Sequence, residues 1–296
     1  MRGVSVATVF SVLALVSGVS CGVESAGGAT HGDVQVSKIA YGAHPDNYGI
    51  LHLPPGEGPV PGVVMVHGGG WRADHDLSYF EPLAASLADE GVAVWNIEYR
   101  RVTGEGGWPE TLADADDATE ALATAVQQAA DGRLDLARVH LAGHSAGGHL
   151  AAWIAGRHTL PPEAPGAQPQ IQPRSATIMA GVFDLRLAVI NGHDRFVRDL
   201  LDGMPDERPV RYAVAAPIAH VPVGIPVVAV HGSADEVVDP EQSRSYVQAA
   251  QKAGDPARFQ SLDGVKHADF GDVESPAWAS ARSIILDHAT NDRPHR

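Results

Sequence analysis

The amino-acid sequence predicts one doubly wound α/β domain, a mostly parallel sheet with helices packed on both of its faces. Three observations predict it. Short strand-like runs alternate with helical stretches from Val63 to His288, the pattern left by repeated crossovers. Runs such as Val63–Val66 and Val227–Val230 are apolar throughout, as expected of strands covered on both sides. Glycine-rich turns follow several of these runs directly, namely His67-Gly68-Gly69-Gly70-Trp71, Gly143-His144-Ser145-Ala146-Gly147 and His231-Gly232-Ser233-Ala234-Asp235. Sheets of this kind carry their functional residues there, at the C-terminal ends of the strands.

Met1–Cys21 reads as an export signal. Arg2 is its sole charge, Val4–Val16 is apolar but too short to span a bilayer, and Ser17, Gly18 and Ser20 lead to Cys21. The cysteine is placed like the acylated residue of a bacterial lipoprotein, although Gly18 stands where that pattern prefers a larger aliphatic residue. Export to the cell envelope or beyond, with Cys21 as a candidate lipid anchor, is therefore the expectation. Residues 22–33 read as a flexible tether, and 34–290 as a single domain.

Within that domain, Val34–Tyr41 and Tyr48–Leu53 are strand-like around a His44-Pro45-Asp46-Asn47 turn. Pro54–Pro61 is a connection leading to the strand Val63–Val66. Leu77–Glu90 has helical spacing and Gly91 as its stop. Val92–Ile97 is the next strand, and Pro109–Asp131 the next helix, opened by Pro109 and by acids that suit its N-terminus. Val139–Ala142 is a strand joined without a linker to the helix His149–Gly156. Leu160–Pro173 holds five prolines and reads as an irregular loop. Thr177–Val182 resumes the strands, 184–217 reads as a small, partly helical flap, and Val227–Val230 and Arg258–Leu262 are the last strands. Gln242–Lys252 and Pro276–His288 are helices.

Composition narrows the function. Over 296 residues the formal charge is −15, too acidic for an unassisted binder of nucleic acid or anionic lipid. One cysteine excludes an internal disulfide framework and cysteine-based metal clusters. No H-E-x-x-H motif occurs, and neither a metal nor a cofactor is expected.

The chemistry is concentrated at Ser145. A strand, a one-residue corner and a helix, with serine at the corner, is the context of a nucleophile elbow. Gly143 and Gly147 leave room for the tight turn, and the helix N-terminus offers free N–H groups to an oxyanion. An activated serine needs a base and a carboxylate that orients it, in the chain order serine, acid, histidine. Asp235, after the strand Val227–Val230, and His267, after the last strand, satisfy that order. The other histidines fit less well: His52 and His140 lie within strands, His144 adjoins the serine with its side chain turned away, and His231 ends a strand on the wrong side of Asp235. Asp239 suits a helix cap, and Asp263 and Asp269 stand too near His267 in sequence. Glycines after Val66 would turn N–H groups inward and, with the N–H of Ala146, form an oxyanion hole.

The segments H-G-G-G-W, G-H-S-A-G-G-H-L, H-G-S-A-D and V-K-H together resemble the α/β-hydrolase superfamily. They are most similar to its hormone-sensitive-lipase-like, feruloyl-esterase-like and kynurenine-formamidase-like esterases. The resemblance spans Val63 to His288 and implies Ser145 as nucleophile, Asp235 as acid, His267 as base, and Gly69, Gly70 and Ala146 as oxyanion donors. It further implies a small-molecule ester as substrate. An amide, such as a formamide, is the alternative, and a prolyl-oligopeptidase-like peptidase and a non-catalytic binding domain are others. Hormone-sensitive-lipase relatives carry a helical cap before the H-G-G-G motif, where this chain reads as strands. A more open site is expected, with Trp71 standing at the edge of the acyl site and favouring acyl groups from acetyl to butyryl.

Overall fold

The computed structural model describes residues 33–191 and 194–290. The expected export signal, most of the expected tether, Cys21 and residues 291–296 lie outside the described residues. Its eight described strands form one sheet in the order β1-β2-β4-β3-β5-β6-β7-β8. β1 (Gln35–Ala40) and β2 (Tyr48–Leu53) are antiparallel to their neighbours. The remainder, β3 (Val60–Val66), β4 (Ala93–Ile97), β5 (Leu134–His144), β6 (Ser175–Met179), β7 (Val227–Gly232) and β8 (Ala257–Leu262), pair in parallel.

Side-chain alternation along the strands builds two apolar layers. Val63 and Met65 of β3, Val94 of β4 and Val228 and Val230 of β7 face one layer, completed by α1 (Glu81–Ala88) and α9 (Pro276–Thr290). Val64 and Val66, Trp95 and Ile97, and Val227 and Ala229 face the other. That layer is covered by α2 (Glu110–Glu120), α3 (Ala125–Ala129), α4 (Ala146–Gly156) and α8 (Glu241–Ala253). Trp71, Trp95, Trp153 and Trp278 are all buried. Each indole N–H donates to a partner: His149 Nδ1, Ala118 O, Val214 O and Ser86 Oγ respectively. A buried indole thus contributes its apolar area without leaving a polar group unpaired.

Three elements differ from the sequence expectation. The stretch 77–90 opens with a separate 3₁₀ turn, Leu77–Phe80, because Asp76 caps Ser78 and Pro82 favours a fresh helix start. The helix expected over 109–131 breaks at Thr124, whose backbone leaves the helical region. There Gln127 pins the following turn to Leu134 through both its amide atoms, at 2.9 Å each. The strand expected at Val139–Ala142 extends back to Leu134, across a register shift at Pro61/Gly62 that polar residues Asp135 and Arg138 conceal in the sequence.

The region 184–217 forms three short helices, α5 (Leu185–Ile190), α6 (Arg195–Leu201) and α7 (Pro209–Ala215). Asp184 and Asp194 cap the first two. The last carbonyls of α7 accept from the body of the domain, Val214 from Trp153 (2.9 Å) and His220 (2.8 Å), and Ala215 from His149 (2.9 Å). The flap is thereby fastened at its base.

The chain leaves β3 toward β4 on one side and returns past β3 to β5 on the other. The crevice at such a reversal lies above the C-terminal ends of β3 and β5. These strands lead into the two glycine turns.

Candidate active site

Ser145 is the one residue between β5 and α4, with φ 56° and ψ −122°. A residue with a side chain avoids this region at a cost of about 1–3 kcal/mol. Surrounding contacts impose it. The Ser145 N–H donates to Met179 O at 2.9 Å, and its carbonyl accepts from His149 N at 3.0 Å. A Cβ on Gly147 would lie 2.1 Å from Val66 O, and one on Gly143 would lie 2.3 Å from Gly147 O. The corner therefore closes only with glycine at both positions.

The structure brings the three sequence-predicted partners together. The Ser145 hydroxyl donates to His267 Nε2 at 2.9 Å, and His267 Nδ1–H donates to Asp235 Oδ2 at 2.8 Å. Asp235 Oδ1 accepts from the N–H groups of Val237 and Val238, both at 2.9 Å. Burial alone would raise the Asp235 carboxyl, but the imidazole and backbone donors outweigh it and hold the group well below the usual carboxylate range. It stays ionised, and fixes the His267 tautomer that leaves Nε2 free to accept from the serine.

Gly69 and Gly70 follow β3 with φ 104° and 61°, and Ala146 supplies the first N–H of α4. All three line a cleft of about 930 Å³ together with Ser145 and His267. Such donors beside an activated hydroxyl suit attack on a carbonyl carbon with charge developing on its oxygen. Among the described residues no group of three or more His, Cys, Asp or Glu is placed to hold a metal.

Trp71 lines the cleft. Its backbone borders the glycine turn, but the indole is 1% exposed and packs in the core against His149, with ring centroids 5.2 Å apart. His149 passes the connection on, its Nε2–H donating to Ala215 O of the flap. Val182, Leu187, Ala188 and Phe196 line the same cleft beside Trp71. Phe196 lies against the oxyanion turn, with Cδ2 3.4 Å from where a Gly70 Cβ would stand.

Several residues of the surroundings escaped the sequence reading. The Gly68 N–H donates to the Tyr79 hydroxyl at 2.5 Å, which donates to His144 Nδ1 at 3.2 Å. His144 Nε2–H donates to the carbonyl of His267 at 3.1 Å. The base of the glycine turn is thus joined to the backbone of the histidine. Behind it, Glu98 is buried at the end of β4 and accepts from His67 Nε2 (2.9 Å), Tyr99 N (2.8 Å) and Leu77 N (3.1 Å), with Arg101 beside it at 3.3 Å. An acid just after a fully buried strand was the available signal, since a buried carboxylate requires partners. Asp239, as expected, caps, accepting from Glu241 N at 2.9 Å.

The BD-FAE family profile matches residues 50–249, and the chain belongs to that family, on an α/β-hydrolase fold. It is 27% identical to a probable carboxylic ester hydrolase, LipM, of Mycobacterium tuberculosis over 71% of this chain and 50% of that protein. It is 26% identical to an acetyl-hydrolase of Streptomyces hygroscopicus over 80% and 83% of the two chains. The propionate-bound structure of esterase 2 from Thermogutta terrifontis superposes with a TM-score of 0.65 at 25% identity, covering 85% of this chain and 91% of that one. The chain spans about half the length of the curated relatives it matches, the acetyl-hydrolase being longer in coverage.

The buried histidines give the fold a pH dependence. Burial lowers His149 to about 4, and burial together with the neighbouring His267 lowers His144 to about 3. In the unfolded chain both return to about 6.5. Below that value the unfolded chain takes up protons that the folded one refuses. Their stabilisation is therefore complete above pH 6.5 and is lost as the pH falls toward these folded values. Tm measured from pH 7 to pH 4 should fall, and His149→Leu, though less stable at pH 7, should fall less steeply. Equal slopes would show that His149 titrates normally in the folded protein.

Proposed function

We propose that this protein is an exported carboxylic ester hydrolase that works through a Ser145–His267–Asp235 triad on esters of short acyl groups. The observation that carries the reading is the continuous line of hydrogen bonds from Ser145 Oγ to His267 to Asp235, at 2.9 and 2.8 Å, at the floor of an open cleft. Ser145 Oγ attacks the ester carbonyl while His267 Nε2 takes its proton. The N–H groups of Gly69, Gly70 and Ala146 stabilise the oxyanion, each such donor contributing roughly 10²–10³ in rate. Collapse expels the alcohol, protonated by His267, and leaves an acyl group on Ser145. Water, activated by the same imidazole, then releases the acid.

The short-acyl reading rests on the cleft wall. Beside Val182, Leu187, Ala188 and Phe196, the lining includes the polar side chains of Asn191, Asp194, Arg195 and Arg72. A buried methylene gains about 0.8 kcal/mol, but methylenes laid along charged side chains gain little of it. The acetyl-hydrolase relative and the propionate-bound structural neighbour agree with small acyl groups.

With p-nitrophenyl esters, kcat/KM should be higher for acetyl and butyryl than for decanoyl. N-formylkynurenine run beside them tests the amide alternative. Phe196→Ala should narrow the difference, whereas Trp71→Ala should lower stability and leave the ratio unchanged. Ser145→Ala should lose about 10⁶ in kcat with the fold intact. A decanoyl preference contradicts the acyl assignment, and near-normal turnover by Ser145→Ala contradicts the mechanism.

Export rests on residues 1–21, through the apolar run Val4–Val16 and the small residues before Cys21. Expressed in a bacterium, the chain should be shortened at Cys21 and partition into detergent, and Cys21→Ala should move it to the aqueous phase. An uncleaved cytosolic chain would remove the proposal.

A further inference from the structure

His231 ends β7 and was set aside in the sequence as standing on the wrong side of Asp235. The turn after β7 changes that. It doubles back so that the Asp235 carboxylate lies over the His231 ring, with Nε2 3.2 Å from Asp235 Oδ2 and 2.9 Å from Val238 O. Both of those atoms only accept, so Nε2 carries a proton. On the far side of the ring, Nδ1 is 2.7 Å from Ser243 Oγ of α8, and the hydroxyl donates to it. His231 is fully buried and absent from the cleft lining. The end of the strand is also pressed onto the His267 loop, a Cβ on Gly232 falling 2.1 Å from Val265 O.

We infer that His231, oriented by Ser243, is a positioning residue whose Nε2–H faces the Asp235 carboxylate, beside the three hydrogen bonds that group accepts, and sets the pH range over which His267 works as a base. The inference rests on the reading of Asp235 as the acid of the triad. Two backbone N–H groups hold Oδ1, while Oδ2 is shared between the two histidines. A donor to Oδ2 withdraws charge that would otherwise favour the imidazolium form of His267. Removing it concentrates negative charge on the oxygen facing His267. His267 then stays protonated, and unable to accept from Ser145, up to a higher pH.

Other ionisable groups face this cluster. From the end of β5, His144 lies with its ring 4.6 Å from that of His267, and Tyr79 stands behind it. On the His267 loop, Lys266 is exposed and Asp269 accepts from its N–H at 2.8 Å. On α8 the neighbouring Glu241 is engaged by Ser245 and Arg244. All remain in the variants below, so a difference between variant and wild type isolates the His231 contribution.

The test compares kcat/KM and kcat against pH for wild type, His231→Leu, His231→Gln, Ser243→Ala and Asp235→Asn, on an acetyl ester. Active sites are counted by an organophosphonate, and folding is checked by near-ultraviolet circular dichroism. His231→Leu should move the acid limb of kcat/KM upward by about 0.5–1 pH unit, lowering kcat near neutrality with KM unchanged. Ser243→Ala, the milder change, should shift it the same way by less and serves if His231→Leu does not fold. His231→Gln, which returns an N–H at the same place, should restore most of the wild-type profile. Asp235→Asn should lose about 10⁴ in kcat. Unmoved limbs in folded His231→Leu or Ser243→Ala, with Asp235→Asn inactive, overturn the role of His231 alone. An active Asp235→Asn removes the acid assignment and this inference with it.

Discussion

The contact on which this molecule depends is the one between Gly147 and the end of β3, where even a methyl group would stand 2.1 Å from the carbonyl of Val66. So close an approach lets α4 begin directly at the end of β5, with a single residue at the corner. That residue must then accept a positive φ, and Ser145 does. The same approach brings the start of α4 beside the glycine turn after β3, so the Ala146 N–H and the Gly69–Gly70 backbone come to border one cleft. Backbone strain at Ser145 and the gathering of its side chain with these backbone groups on one cleft are consequences of one packing constraint.

Around that corner the polar groups are tied in chains. Gly68, Tyr79, His144 and the His267 carbonyl form one. Trp71, His149 and Ala215 of the flap form another. Ser243, His231 and Asp235 form a third. Buried imidazoles suit this work because a neutral ring donates at one nitrogen and accepts at the other. In a chain with 15 histidines, several serve as two-ended connectors between elements that adjoin the cleft. A buried polar group left unpaired costs about 1–3 kcal/mol, so each chain resists being opened at any link.

The parallel sheet and the hydrogen-bonded set of Ser145, His267 and Asp235 were legible in the sequence because each leaves a local signal. Apolar runs mark buried strands, and glycines around a serine mark a corner that only they permit. Chain order then selected Asp235 and His267. What escaped were side-chain directions. Trp71 follows the oxyanion glycines, yet its indole turns into the core, because His149 one turn along α4 offers an acceptor there. Periodicity cannot see a partner 78 positions away. His231 was dismissed because sequence order placed it before the acid, while the turn through Ser233 and Ala234 folds the carboxylate back onto it. The break at Thr124 and the register shift at Pro61/Gly62 were hidden likewise, since both answer to pairing with distant segments.

The central claim is that the strained corner presents Ser145 as the single activated nucleophile of the chain. Its most direct measurement is stoichiometric labelling with an organophosphonate ester, read by intact mass and by the mass of the modified peptide. One adduct per chain is expected, on Ser145, formed rapidly by the wild type and absent from Ser145→Ala. A second site of equal reactivity, or an adduct that persists in Ser145→Ala, would contradict it.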